Sequence, residues 1–123
     1  PDVLRALHFC LKWSDLSTAA QLVKARADEL DGDHYELLTA AADALRERHP
    51  LAATLLWRAM IDFILIEGRA SRYGHAAHHL NDCDAVAPEV DTFDALPSHD
   101  RYVNELRVQH ERKSSFWAKF DAH

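Results

Sequence analysis

The chain has 123 residues, of which 48% are hydrophobic and 28% charged, with only 3 glycines and 4 prolines. This composition predicts a single globular, helix-rich domain over residues 1–123 and excludes a disordered chain. The formal charge of −6 at pH 7 gives no electrostatic basis for binding nucleic acid or an anionic membrane.

The two cysteines, Cys10 and Cys83, lie far apart in helical patterns. They do not form the framework of a disulfide-rich secreted protein, and no signal peptide opens the chain, so we predict a cytoplasmic protein. The sequence starts at Pro1, without an initiator methionine, inside a helical pattern. We therefore expect a C-terminal fragment of a longer protein.

The first predicted helix covers residues 1–12 and has one apolar face, with Phe9 and Trp13 beside it. Ser14 is expected to cap the second helix by accepting a hydrogen bond from an unpaired backbone amide. The second helix is expected to end at Gly32, because glycine readily adopts the left-handed conformation that follows many helices.

The third predicted helix follows Asp33, which is expected to cap it. Helical periodicity divides its side chains into two sets. The set that we expect to face inward is Tyr35, Leu38, Ala41, Ala42 and Leu45. The set that we expect to face outward is Glu36, Asp43 and Glu47.

The strongest signal is the segment from His49 to Glu67, HPLAATLLWRAMIDFILIE. Pro50 suits the first turn of a helix, where the amide that it lacks would be unpaired. The strongly polar side chains form one thin stripe, in which Arg58 and Asp62 can support each other across a turn: Thr54, Arg58 and Asp62. A helix that is apolar over most of its circumference must be covered on several sides. We therefore predict a buried central helix, which is too short and too charged to span a bilayer.

Gly68 is expected to end the central helix, and a fifth helix runs from there to Pro88. After an acidic connection, Ser98 is expected to cap one last helix. This helix carries an apolar line with polar residues in its middle: Val103, Leu106, His110, Lys113, Trp117 and Phe120. No segment alternates with period two, so we predict an all-α fold of about six helices.

The order of bulky and small residues resembles that of helical repeats. A tetratricopeptide-like unit has bulky residues on its first helix, small residues on its second and a proline afterwards. The fourth and fifth helices follow this order, with Trp57 on the first and Ala76, Leu80, Cys83 and Pro88 on or after the second. We expect antiparallel pairs stacked as a tetratricopeptide- or HEAT-like α-α superhelix, with a compact helical bundle as the alternative.

One group of residues on the fifth helix has the spacing of metal ligands. His75, His79 and Cys83 follow one another at i, i+4 and i+8 and so share one flank of a helix. Imidazole and thiolate groups are good zinc ligands, and His99 or His110 would have to supply a fourth. In the alternative interpretation the histidines border an apolar interface with hydrogen-bonded nitrogens, and Cys83 packs in the core.

Two clusters combine cations with aromatic rings and are candidates for partner binding: Arg69, Arg72 and Tyr73, and Arg112 and Lys113 before Phe116 and Trp117. Such clusters can neutralise phosphates and stack on bases, so a nucleic-acid-associated role is an alternative. The simpler interpretation is that the cations flank a packed aromatic end. We take the exposed edge of Arg69, Arg72 and Tyr73 as the predicted contact patch.

The sequence contains no pattern that is typical of an active site. It has no nucleophile elbow, no glycine-rich phosphate loop and no close pair of inward-facing carboxylates. We therefore predict that the chain is not an enzyme and has no cofactor, zinc being the one candidate.

Three short blocks, taken in order, resemble a known family. They are His49-Pro-Leu-Ala-Ala, Arg72-Tyr-Gly-His75-Ala-Ala and His110-Glu-Arg-Lys-Ser-Ser-Phe-Trp117. They resemble a family of uncharacterised, mainly proteobacterial proteins, over roughly residues 45–120. The resemblance implies a helical-repeat segment at the C-terminal end of a longer chain, sometimes behind a SWIM-type zinc finger outside this segment. It implies no established activity and therefore no catalytic residue.

The sequence as a whole favours a protein–protein interaction or scaffolding module. Helical arrays bind through side chains on their surface, while the helix interiors set the curvature. The expected ligand is a partner protein or another part of the parent chain, and no membrane is expected. The alternatives are a nucleic-acid-associated accessory domain and a zinc-binding helical domain that uses His75, His79 and Cys83.

Overall fold

The computed structural model describes residues 2–122, in which seven α-helices and no β-strand occur. The helices are α1 Val3–Lys12, α2 Leu16–Ala25, α3 Tyr35–Leu45, α4 Pro50–Glu67, α5 Tyr73–Val86, α6 His99–Gln109 and α7 Ser114–Asp121. Short 3₁₀ turns lie at Ala27–Glu29, Ala70–Arg72 and Ala87–Glu89. The predicted all-α fold is confirmed. None of these helices is long and apolar enough to cross a lipid bilayer.

The central helix is α4, which packs against α2, α3 and α5. Pro50 occupies its first turn, and Gly68 ends it with a left-handed φ of 69°. Ile66 is exposed near the C-terminal end. Its buried residues cover most of the helix circumference: Ala52, Ala53, Thr54, Leu55, Leu56, Trp57, Arg58, Met60, Ile61, Ile64 and Leu65. The prediction of a central helix enclosed by its neighbours is therefore confirmed.

The polar stripe of α4 is also covered by protein. Thr54 is buried and donates a hydrogen bond of 2.8 Å to the carbonyl of Pro50, four residues before it. The guanidinium carbon of Arg58 lies 4.4 Å from the ring centroid of Tyr102, whose hydroxyl donates a 2.7 Å hydrogen bond to Asp62. Arg58 and Asp62 therefore both contact Tyr102 of α6. Burial raises the pKa of Asp62, and the charge of Arg58 opposes this larger effect by favouring the ionised form of Asp62.

Two predicted helix caps are wrong, because in each case the residue immediately before the helix is the next one along the chain. The carboxylate of Asp15, not the hydroxyl of Ser14, accepts the 3.2 Å hydrogen bond from the Thr18 amide at the start of α2. The residue before α3 is His34, which makes no capping hydrogen bond through its side chain, and Asp33 lies one position earlier. An aspartate immediately before a helix competes well with serine as an amide acceptor.

The last predicted helix is divided into α6 and α7. Ser98 caps α6 as expected, with its hydroxyl accepting a 3.3 Å hydrogen bond from the amide of Arg101. The helix ends at His110, whose carbonyl accepts a 3.0 Å hydrogen bond from the indole nitrogen of Trp117. Because the chain turns at this point, α7 packs on α5. Phe116 then meets Tyr73 edge to face, with 6.1 Å between the ring centroids.

Gly32 does not end a helix in the left-handed conformation, so that prediction is wrong. Helix α2 ends at Ala25, and Gly68 is the one glycine with positive φ among the described residues. Gly32 is buried against α4, where an added Cβ would collide with the carbonyl oxygen of Ala59 and lie 2.6 Å from the Cβ of Phe63. Glycine is required here because the backbone approaches α4 closely.

Gly32→Ala should lower the free energy of unfolding by about 1–3 kcal/mol, because the new methyl group meets the α4 backbone and cannot be accommodated by a side-chain movement. Gly74→Ala is the matched control. Gly74 lies in α5, and its added Cβ would meet nothing within 4 Å, so helix propensity should make that variant more stable by about 0.5–1 kcal/mol. Urea denaturation measures both. Equal stability of the two variants would contradict the close approach of Gly32 to α4.

Candidate functional site

Helix α3 has an open groove on each side. The groove between α1 and α3 has a volume of about 880 Å³ and is lined by His8, Leu11, Lys12, Asp33, His34, Tyr35, Glu36, Leu37 and Ala40. The groove between α3 and α5 has a volume of about 740 Å³ and is lined by Tyr35, Glu36, Thr39, Ala40, Asp43, Arg72, His75, His78 and His79. We name them the α1–α3 groove and the α3–α5 groove. They share three residues of α3: Tyr35, Glu36 and Ala40.

The sequence of α3 explains why the two grooves meet on it. Its bulky inward residues Leu38 and Leu45 are fully buried in the core beneath. On the opposite side Ala40 is exposed and carries only a methyl group. At this position, little side chain therefore projects from the backbone of α3. Ala40 forms the boundary between the grooves together with Tyr35 and Glu36, and it is the smallest of the three side chains.

Tyr35 stands between the grooves and is 45% exposed, so the prediction that it faces inward is wrong. The guanidinium carbon of Arg72 lies 4.4 Å from the centroid of its ring. A cation stacked on an aromatic face at an exposed site contributes about 0.5–1 kcal/mol. This contact connects the start of α3 with the turn before α5 and orients the ring of Tyr35.

The charges on the face of α3 have a simple pattern. Glu36 and Asp43 of α3 and Glu47 in the turn that follows it, which we name the acidic ridge, are all exposed as predicted. Within residues 2–122 none of the three carboxylates forms an ion pair. The facing groove walls carry Lys12 on α1 and Arg72 before α5.

The histidines of α5 have different environments. His75 and His78 are exposed, whereas His79 is 8% exposed and its Nδ1 atom has no hydrogen-bond partner. Burial, together with the nearby charges of His78, His75 and Arg72, lowers the pKa of His79 from 6.5 to about 4. His79 is therefore neutral at physiological pH, and a proton on it destabilises the fold.

The candidate zinc ligands share one helix but not one environment. His75 is at the surface, whereas Cys83 is in the core and burial raises the pKa of its thiol to about 12. Among residues 2–122 no three His, Cys, Asp or Glu side chains are arranged to hold a metal ion.

The two histidines considered as a fourth ligand have other contacts. The Nε2 atom of His99 lies 3.2 Å from a carboxylate oxygen of Asp84, and His110 forms the C-terminal end of α6. Both side chains are buried, and burial lowers the pKa of each imidazole. The described geometry thus gives the zinc hypothesis no support.

The predicted contact patch is divided by the fold. Tyr73 is only 5% exposed, because Phe116 of α7 covers its ring and the ammonium group of Lys113 lies 3.4 Å from its hydroxyl. The prediction of an exposed Tyr73 is therefore wrong, whereas Arg69 and Arg112 are exposed. Arg69 lies 3.9 Å from the carboxylate of Glu67.

Of the predicted partner-binding residues, only Arg72 lines either groove. Sequence reasoning missed Tyr35 and Ala40 as surface residues. The one available signal was their position beside the outward-facing carboxylates of α3.

These features define an all-α domain with an open, two-groove surface on one helix. A family of unknown function (DUF6880) matches residues 1–119, and the chain belongs to this family. The match also includes the first third of the chain, which the sequence resemblance left out. No curated protein matches the chain, and no solved structure matches it either.

Proposed function

We propose that the domain is a protein-interaction module that binds a segment of a partner protein over α3, with side chains of the segment entering the grooves on both sides. The observation that carries the proposal is that the two grooves meet at Ala40 and Tyr35. A small exposed residue lets a ligand backbone come close to the helix. A partly exposed tyrosine offers a large, rigid contact surface at low cost in conformational entropy.

The lining of the grooves fits polypeptide side chains. In the α1–α3 groove Leu11, Leu37 and Ala40 provide apolar surface, and His8 and Lys12 lie among them. The volumes fall within the range of about 300–1,000 Å³ that is usual for ligand sites. Both grooves are open to solvent, which favours a segment laid along the surface over an enclosed small molecule.

Filling the grooves from Ala40 tests this function. Peptides would be selected from a phage-displayed random library on the wild-type domain, and their affinity measured by fluorescence anisotropy. Ala40→Trp should lower the affinity at least about tenfold, because the indole occupies the position where the grooves meet. Ala40 is exposed, so this variant should keep its thermal stability.

Ala118→Trp is the matched control, since Ala118 is exposed on α7 and lines neither groove. It should leave the affinity unchanged. The proposed function is contradicted if the selected peptides bind Ala40→Trp as tightly as the control. It is equally contradicted if the library yields no peptide that binds the wild-type domain.

A further inference from the structure

We propose that the partner segment is basic, with lysine or arginine side chains interspersed among its apolar anchors. This inference rests on the proposed function and adds the chemistry of the ligand. It is carried by Glu36 and Asp43 of the acidic ridge, which line the grooves and form no ion pair in the part of the chain that the structure describes.

Some carboxylates of the domain are already held by a cation of the same surface. Arg26 binds Glu29 and Arg107 binds Asp121, each within its own local surface. Among residues 2–122 no cation forms an ion pair with Glu36. A ligand that covers a carboxylate without supplying a positive charge leaves it desolvated and unpaired, which weakens binding.

The residues that line each groove also carry a net negative charge. Among its lysine, arginine, aspartate and glutamate residues, the α1–α3 groove has one cation, Lys12, and two carboxylates, Asp33 and Glu36. The α3–α5 groove likewise has one cation, Arg72, and two carboxylates, Glu36 and Asp43. Both grooves are thus net acidic.

Long-range electrostatics strengthens this preference. The formal charge of −6 on the chain increases the rate at which a basic ligand associates and disfavours an acidic one.

The spacing of the ridge also suits a peptide. Glu36 and Asp43 are seven residues apart on α3, which places them about 10 Å apart along the helix axis. Lysines at i and i+7 of a helical segment have the same separation. An amphipathic segment laid over α3 can therefore place its apolar side chains in the grooves and its cations on the ridge.

Three labelled peptides test the proposal directly. All three carry leucine at i, i+3, i+4 and i+7, and the remaining positions are lysine in the first, glutamine in the second and glutamate in the third. The lysine peptide should bind the wild-type domain at least about tenfold more tightly than the glutamate peptide in fluorescence anisotropy. A single-stranded oligonucleotide serves as a fourth probe and should not bind.

Charge neutralisation on the domain locates the contact. Glu36→Gln combined with Asp43→Asn should weaken binding of the lysine peptide by about fivefold. The control combines Asp28→Asn with Glu111→Gln, two exposed carboxylates outside both grooves. It removes the same total charge and should change the affinity less than about twofold.

The outcomes distinguish failure of the basic-partner proposal from failure of the proposed protein-interaction function. Equal affinity for the three peptides, tighter binding of the glutamate peptide or the oligonucleotide, or no binding of the lysine peptide overturns the basic partner. Equal effects of the ridge variant and its control also overturn it. If the lysine peptide binds but Ala40→Trp does not weaken it, the grooves are not the binding surface and the proposed function itself fails.

Discussion

Trp57→Ala should lower the free energy of unfolding by about 3–5 kcal/mol, the range for removing a large aromatic side chain from a core. Trp57 is 1% exposed and lies in the middle of α4, which packs against three other helices. The guanidinium carbon of Arg46 lies 5.1 Å from its ring centroid, so this cation–π contact is lost as well. Urea denaturation followed by circular dichroism gives the value.

Trp13→Ala is the matched control for this prediction. The same side chain is removed, but Trp13 follows α1 and is 67% exposed, so the free energy of unfolding should change by no more than about 0.5 kcal/mol. If the two alanine variants unfolded at the same urea concentration, the placement of α4 at the centre of the domain would be wrong.

Acidification should destabilise the domain through His79. Its pKa is about 4 in the folded state and 6.5 in the reference state, so the unfolded chain binds the proton more tightly. The contribution of neutral His79 to the free energy of unfolding is then fully present above about pH 6.5 and is lost as the pH falls towards 4. The difference between the two pKa values corresponds to about 3 kcal/mol at the acidic end. Thermal denaturation at a series of pH values measures this dependence.

Comparison with two glutamine variants isolates the contribution of His79. His79→Gln cannot gain the proton and should show a much smaller loss of stability between pH 6.5 and 4. His8→Gln is the control, because His8 is exposed on α1 and is not among the groups that shift the pKa of His79. It should keep the wild-type pH dependence. An unchanged slope in His79→Gln would show that its imidazole is not buried in the neutral form.

The central helix could be predicted because its signal is local. Between Pro50 and Gly68 apolar residues cover nearly the whole helix, and such a segment has few alternatives to burial in a helical domain. The two end signals, proline in the first turn and glycine after the last, depend on backbone geometry alone. Both are found where the sequence places them.

The two tyrosines illustrate what the sequence could not decide. Tyr35 and Tyr73 both begin helices, yet Tyr35 is exposed and Tyr73 is buried. The difference arises from α7, which turns back after His110 and places Phe116 on Tyr73. That contact joins residues more than forty positions apart, so no local periodicity encodes it.

The candidate site was missed for a related reason. A groove is the space between two helices, and its existence depends on how α1 and α5 are placed beside α3. The sequence did predict that Glu36, Asp43 and Glu47 face outward, and they do. Exposed carboxylates on a helix are ordinary, however, and only the fold brings the apolar grooves next to them.

The most direct test of the account is to map where a ligand binds. Amide chemical shifts of the ¹⁵N-labelled domain would be recorded during titration with the lysine peptide. We predict that the shifts concentrate on α3 around Tyr35 and Ala40 and on the facing sides of α1 and α5, and that they disappear in Ala40→Trp. Shifts concentrated on α6 and α7, or shifts that persist unchanged in Ala40→Trp, would contradict it.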